Sequence, residues 1–171
     1  KSKASAFDDT KASVMGDYIP AKLAFDENEN LKTLVPTTDY SGYVIFFFEN
    51  GKAAKVPLKS YETKTNRKKL ANAYSSKSPL VAAIFTAEDK DVLLRTTSGH
   101  ALVFNTGMIL PKATRESQGV QVVTLRKNAL LASAEIVEGE QLTELSKYRA
   151  KSVPSAGKPA KELGETNQLK F

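Results

Sequence analysis

Residues 42–74 read GYVIFFFENGKAAKVPLKSYETKTNRKKLANAY, and residues 90–122 read KDVLLRTTSGHALVFNTGMILPKATRESQGVQV. At an offset of 48 positions the two stretches fall into register: Phe46 on Leu94, Gly51 on Gly99, Val56 on Phe104, Tyr61 on Ile109, Arg67 on Arg115 and Tyr74 on Val122. A repeat of this length marks a supersecondary unit that cannot bury its apolar face alone and stacks on its neighbour. Each copy opens with a strand signal, at 44–48 and at 92–94, rich in β-branched, aliphatic or aromatic residues. A glycine turn follows, then a second short strand at 53–58 or 101–104. Asn50-Gly51 suggests a type I′ turn, which needs positive φ at both central residues. Pro57 ends its strand or puts it at an edge.

A polar, basic connection comes next in each copy, at 59–69 and 105–118, and then an apolar segment, at 80–85 and 120–125. Residues 129–137 add a strand, 141–145 read as a further short strand, and 67–74 allow one helical turn. Many short strands with a 48-residue superperiod indicate an all-β, propeller-like fold with about four strands per blade. Residues 1–12 read as a lead-in, 13–153 as the domain, with repeats at 42–89 and 90–137, and 154–171 as a C-terminal tail.

The chain has 171 residues and no cysteine, which excludes disulfides and cysteine metal sites. The six-residue apolar run at 43–48 is far too short to span a membrane as a helix, and an intracellular, cytoplasmic origin is expected. The formal charge of +6 is unevenly spread: residues 1–50 carry −3, residues 51–80 carry +7, and residues 81–171 carry +2. A +7 stretch over 30 residues is an electrostatic footprint for a polyanion. A lysine-rich face that serves only solubility is the competing reading, but such a face mixes signs, and residues 51–80 hold a single acid, Glu62.

The chemistry-bearing motifs are few. There is no GxGxxG and no Walker A sequence, so nucleotide binding has no support. The single histidine, His100, lies beside a turn, and the carboxylates sit in polar turns. Ser155-Ala-Gly-Lys158 has the S-x-x-K spacing of serine acyl-enzymes but lacks their companion motifs, and a hydrolase built on it would need an ordered pocket around the tail. No catalytic residue is therefore assigned. Lys64, Arg67, Lys68 and Lys69, interspersed with Thr63, Thr65 and Asn66, have the mixture of long cations and short polar groups that suits phosphate oxygens.

These residues carry a family resemblance. Thr97-Ser-Gly99, Ala101-Leu-Val-Phe104 and Arg115-Glu-Ser-Gln-Gly119-Val120 resemble the blade of the C-terminal domain of type IIA DNA topoisomerase A subunits, the family of the gyrase and topoisomerase IV A subunits. Copy one matches through Glu49-Asn-Gly51-Lys-Ala-Ala-Lys55-Val56 and Arg67, but has Ala71-Asn72 where Gly-Val is expected. The resemblance covers residues 31–137. It implies a β-pinwheel, a disc whose blades exchange strands and whose basic rim binds and bends duplex DNA without strong sequence preference. The rim residues carry over to Lys55, Lys64, Arg67, Lys68, Lys69, Lys112 and Arg115, and Lys59 joins them as a cation of the copy-one connection. It further implies a nucleoid-associated bacterial parent enzyme that uses ATP and Mg. The implied partners are the catalytic core on the same polypeptide and a separate ATPase subunit; this domain itself needs no cofactor. Gyrase domains carry a box with adjacent arginines and adjacent glycines. This chain has neither pair, so a topoisomerase IV-like or divergent subunit is expected in preference to tight chiral wrapping. There is room for two full blades, and a partial third from the two chain ends stays open. The alternative is a propeller-like protein-interaction module with a solubilising basic face.

Overall fold

Period-two alternation places successive side chains on opposite faces of a strand, and in this chain both faces of the central strands are apolar. The computed structural model describes residues 2–64 and 69–160. It holds two four-stranded antiparallel sheets. In sheet one the order is β3 (Leu80–Thr86), β1 (Tyr43–Phe48), β2 (Lys52–Pro57), β6 (Val120–Gln121). In sheet two it is β7 (Leu131–Ile136), β4 (Asp91–Thr96), β5 (His100–Asn105), β8 (Lys158–Pro159). The hairpins β1–β2 and β4–β5 sit 48 positions apart, residue for residue.

The turns differ from the type I′ expectation. Gly51 has φ +75° and Gly99 φ +70°, but Asn50 is not among the residues with positive φ. The Gly51 amide donates to the Phe48 carbonyl at 2.9 Å, and the Gly99 amide to the Thr96 carbonyl at 3.0 Å. Both are three-residue loops in which an ordinary turn is followed by a left-handed glycine, a geometry that also suits the right-handed strand twist.

The fourth strand of each sheet comes from further along the chain. β6, which follows the copy-two connection, pairs Val120 with Ala53 and Gln121 with Lys52. β8 pairs Lys158 with Ala101 and Pro159 with His100. Ala53 and Ala101 are repeat equivalents, so Ser117-Gln-Gly119-Val120 and Ser155-Ala-Gly157-Lys158 play the same part. In both, the serine hydroxyl accepts from the glycine amide, at 3.1 Å for Ser117 and 3.3 Å for Ser155. Residues 155–160, read from the sequence as tail, thus complete sheet two. The Ser155–Lys158 spacing reflects a strand-exchange turn, and the Ser155 hydroxyl is engaged by that turn.

The sheets stack head to tail. Ile45, Phe47 and Ala53 of sheet one meet Val92, Leu94, Leu102 and Phe104 of sheet two, with Phe47 edge-on to Phe104 at 6.4 Å. The other face of sheet one, Val44, Phe46, Phe48 and Val56, is covered by Val35, Tyr40 and Tyr61. A short helix, α1 (Ile19–Lys22), lies in the N-terminal segment. The other face of sheet two, Leu93, Ala101 and Val103, is covered by Val137, Leu145 and Tyr148. These three residues belong to the segment holding helix α2 (Gly139–Glu144), where a strand is expected from sequence. No helix among the described residues is long and apolar enough to cross a membrane.

Candidate nucleic-acid interface

Strand exchange brings the two basic connections together. To reach β6, the copy-two connection runs along the outer edge of sheet one, where the Lys112 amide donates to the Lys55 carbonyl at 2.7 Å. It then meets the copy-one connection: the Ser60 hydroxyl donates to the Ala113 carbonyl at 3.0 Å. Between them lies an open groove of about 400 Å³, lined by Ser60, Glu62, Thr63, Asn72, Ala113, Thr114, Arg115 and Glu116, so two acids stand beside the arginine. Residues about 50 positions apart in sequence therefore share one surface.

Tyr61 organises this surface. Its hydroxyl donates to the Ala73 carbonyl at 2.6 Å, which ties the start of the copy-one connection to the segment that follows it. The Arg115 guanidinium lies over its ring, 5.9 Å from the centroid. Burial pushes the phenol up to about 12, and the Arg115 charge opposes that rise. The equivalent of Tyr61 is Ile109, and that of Tyr74 is Val122. Both of those are sealed between the sheets. In copy one the same positions face a half-wet surface, where a ring with a polar handle fits. Tyr74 stacks on Phe46 at 5.3 Å.

The cations expected on the rim divide into several kinds. Lys64 and Lys112 are exposed, and neither has an ion pair among the described residues. Arg115 is half-buried on Tyr61. Lys59 is exposed and pairs with Glu62 at 2.6 Å, and the hydrogen bond to Glu62 raises its pKa. Lys69 is held by Asp26 at 2.8 Å and Glu29 at 3.0 Å. Arg67 and Lys68 lie outside the described residues.

Lys55 departs from its expected place. It is 4% exposed. Its ammonium is 2.5 Å from Asp89, 3.3 Å from the Thr106 carbonyl and 4.7 Å from the Tyr43 ring centroid. Alternation puts Lys55 on the same face as Ala53, toward sheet two, so it joins the sheets and does not meet solvent. Asp89 is in turn pulled below the usual carboxylate range, chiefly by the Lys55 hydrogen bond and also by the Thr106 hydroxyl.

Two features escape sequence reading. The support of Arg115 by Tyr61 needs the strand exchange to be visible. The seating of Asp26 and Glu29 on Lys69 joins residues some 40 positions apart, with only their opposite charge as a signal. Among the described residues, no group of three or more His, Asp or Glu side chains could hold a metal ion.

No protein-family model matches the chain, and no curated protein matches it. Solved structures do. The C-terminal domain of DNA topoisomerase IV is 24% identical with a TM-score of 0.62, over 73% of this chain and 39% of that one. The DNA gyrase A C-terminal domain is 16% identical with a TM-score of 0.52, over 77% and 52%. The E. coli ParC C-terminal domain is 12% identical with a TM-score of 0.59, over 88% and 68%. The chain thus spans between two-fifths and about half the length of the first two. At these identities the likeness is one of fold: the two strand-exchanging sheets have the architecture found in the C-terminal domains of topoisomerase IV and gyrase A, as the repeat's resemblance implies.

Proposed function

We propose that the chain is a two-bladed β-pinwheel that binds and bends duplex DNA, a non-catalytic domain of the A subunit of a bacterial ATP-dependent type II topoisomerase. The observation that carries this reading is the meeting of the two basic connections at the Ser60–Ala113 hydrogen bond; of their cations, Lys64, Lys112 and Arg115 have no ion pair among the described residues. Ser60, Thr63 and Thr114 line the groove beside Arg115, and the connections as a whole mix long cations with short hydroxyl groups, which suits phosphate oxygens, with no recognition helix for base readout among the described residues. Binding is then independent of sequence and dominated by the backbone. The domain presents DNA to the catalytic core of its own polypeptide, and ATP and Mg serve other parts of the parent enzyme. Gyrase-like tight wrapping is not part of the proposal, since the box of paired arginines and paired glycines is absent.

A salt titration of duplex binding tests it. With about six phosphates neutralised, log K falls against log salt with a slope of roughly −5. Bending raises the efficiency of energy transfer between dyes on the ends of a short duplex. Unchanged transfer at saturation removes bending and leaves binding intact. A slope near zero favours the second reading, a protein-interaction module, which the neutralised state of Lys59 and Lys69 supports.

A further inference from the structure

The N-terminal segment is unlike the rest of the molecule. Residues 7–42 contribute no strand to either sheet, and Val14, Met15, Tyr18, Leu31 and Leu34 are exposed in them. Lys22 pairs within the segment, with Asp8 and Asp17. Val35 and Tyr40 anchor its far end on the apolar face of sheet one. Upstream of that anchor, Asp26-Glu27-Asn28-Glu29 reaches the copy-one connection. There two carboxylates converge on one ammonium, Lys69, with Glu29 also accepting from the Asp26 amide at 2.8 Å. Two anionic oxygens about 3 Å from a lysine on a basic loop reproduce what a phosphate group would offer that lysine.

We propose that Asp26-Glu27-Asn28-Glu29 is an intramolecular phosphate mimic that occupies Lys69 in the free domain and is displaced by the backbone of bound nucleic acid. The inference rests on the DNA-binding reading and adds a regulator to the same surface. Several features support it. The contacts are solvent-exposed, so each is weak and reversible. The segment is covalently tethered, so the carboxylates compete at a high effective concentration. Glu29 lies below the usual carboxylate range, first through the Asp26 amide and next through Lys69. The charge split between residues 1–50, at −3, and residues 51–80, at +7, gives the contact its sign.

The test uses the full chain and a duplex of mixed sequence. Asp26→Asn with Glu29→Gln is expected to bind about three- to tenfold more tightly at low salt, since each exposed pair is worth up to about fivefold. Its salt slope should steepen by up to about 0.9, the increment for one additional neutralised phosphate. Asp8→Asn with Asp17→Asn makes the same change in net charge at Lys22 and should shift binding less than about twofold. Equal increases in the two double variants mean a net-charge effect and overturn the proposal, as does no increase in either. A second measurement needs no DNA: the Glu29 carboxyl, followed by NMR, should titrate at higher pH in Lys69→Met than in the parent. Identical titration shows that the acids do not sit on Lys69 and overturns the mimic even where DNA binds. A parent that binds no duplex overturns the competition together with the DNA reading, whatever Glu29 does.

Discussion

A lysine sealed between two sheets is a strong constraint at the scale of one residue. The Lys55 ammonium is desolvated and satisfied by Asp89 and the Thr106 carbonyl. Breaking such a pair from one side leaves a buried charge, whereas replacing the lysine by an apolar chain of similar length leaves none. Asp89→Asn should therefore cost about 2 kcal/mol, less than a fully buried pair because Asp89 is half-exposed. Lys55→Met should stay within about 1 kcal/mol of the parent, both measured by urea denaturation. The pH dependence follows from the sign of the shift. Asp89 titrates lower in the folded state, so its stabilisation is present above the unfolded carboxylate value and is lost as pH falls through the folded one. Lys55→Met should flatten that acid limb. Tyr61 has the opposite shift. Its phenol stays protonated to about 12 when folded, so its contribution is full below about 10 and disappears as pH rises from there through 12. Tyr61→Phe should remove this alkaline loss. An unchanged alkaline limb in Tyr61→Phe would mean that the phenol is not shielded as described.

At the scale of the element, two glycines decide whether the sheets exchange strands. A β-carbon on Gly119 would collide head-on with the Ala53 carbonyl oxygen, and one on Gly157 would stand 2.5 Å from that of Ala101. Both obstacles are backbone, which cannot rotate away. A β-carbon on Gly99 meets nothing within 4 Å, so only its left-handed φ is at issue. Gly99→Ala should cost about 1–2 kcal/mol, and Gly119→Ala more than that, with loss of the Val120 and Gln121 amides from slow hydrogen exchange. If Gly119→Ala matches Gly99→Ala in stability, the close approach does not hold. The hairpins are legible in the sequence because Val44-Ile-Phe-Phe-Phe48 and Val92-Leu-Leu94 are apolar on both faces and each is followed within five residues by a glycine. The exchange strands are not. Val120 and Lys158 share no chemistry, and what unites them is a serine two residues before a glycine that meets an alanine carbonyl. Helix α2 reads as a strand in the sequence because its short apolar pattern fits either period; the open face of sheet two decides in favour of the helix. Carrying the family's rim over position by position puts Lys55 there, whereas period-two alternation turns it inward. Ala71-Asn72 departs from the Gly-Val pattern at a point where the described residues offer no outer strand for it to join.

The whole molecule is a head-to-tail stack with one edge made basic by both connections, and the weight of each cation there depends on what already neutralises it. Counted from sequence, the copy-one connection carries +4 and the copy-two connection +1, which makes copy one the anchor. The structure changes the weighting for individual residues. Lys59 has Glu62, and Lys69 has Asp26 and Glu29. Lys112 is exposed without an acid partner among the described residues, and Arg115 is oriented by Tyr61. A cation already paired must give up its acid before it gains a phosphate, so its net contribution is smaller. Lys112→Glu with Arg115→Glu should therefore weaken duplex binding more than Lys59→Glu with Lys69→Glu, although both reverse two charges. The salt slope should flatten by about 1.8 in the first variant, two phosphates at about 0.9 each, and by less in the second. These side chains lie on polar connections, so circular dichroism should stay that of the parent, while the lost Tyr61 contact should cost the first variant about 1–2 kcal/mol and the lost ion pairs should also destabilise the second. If the paired lysines prove the costlier loss, the acids do not neutralise them in solution, and copy one is the anchor as the charge count alone would have it.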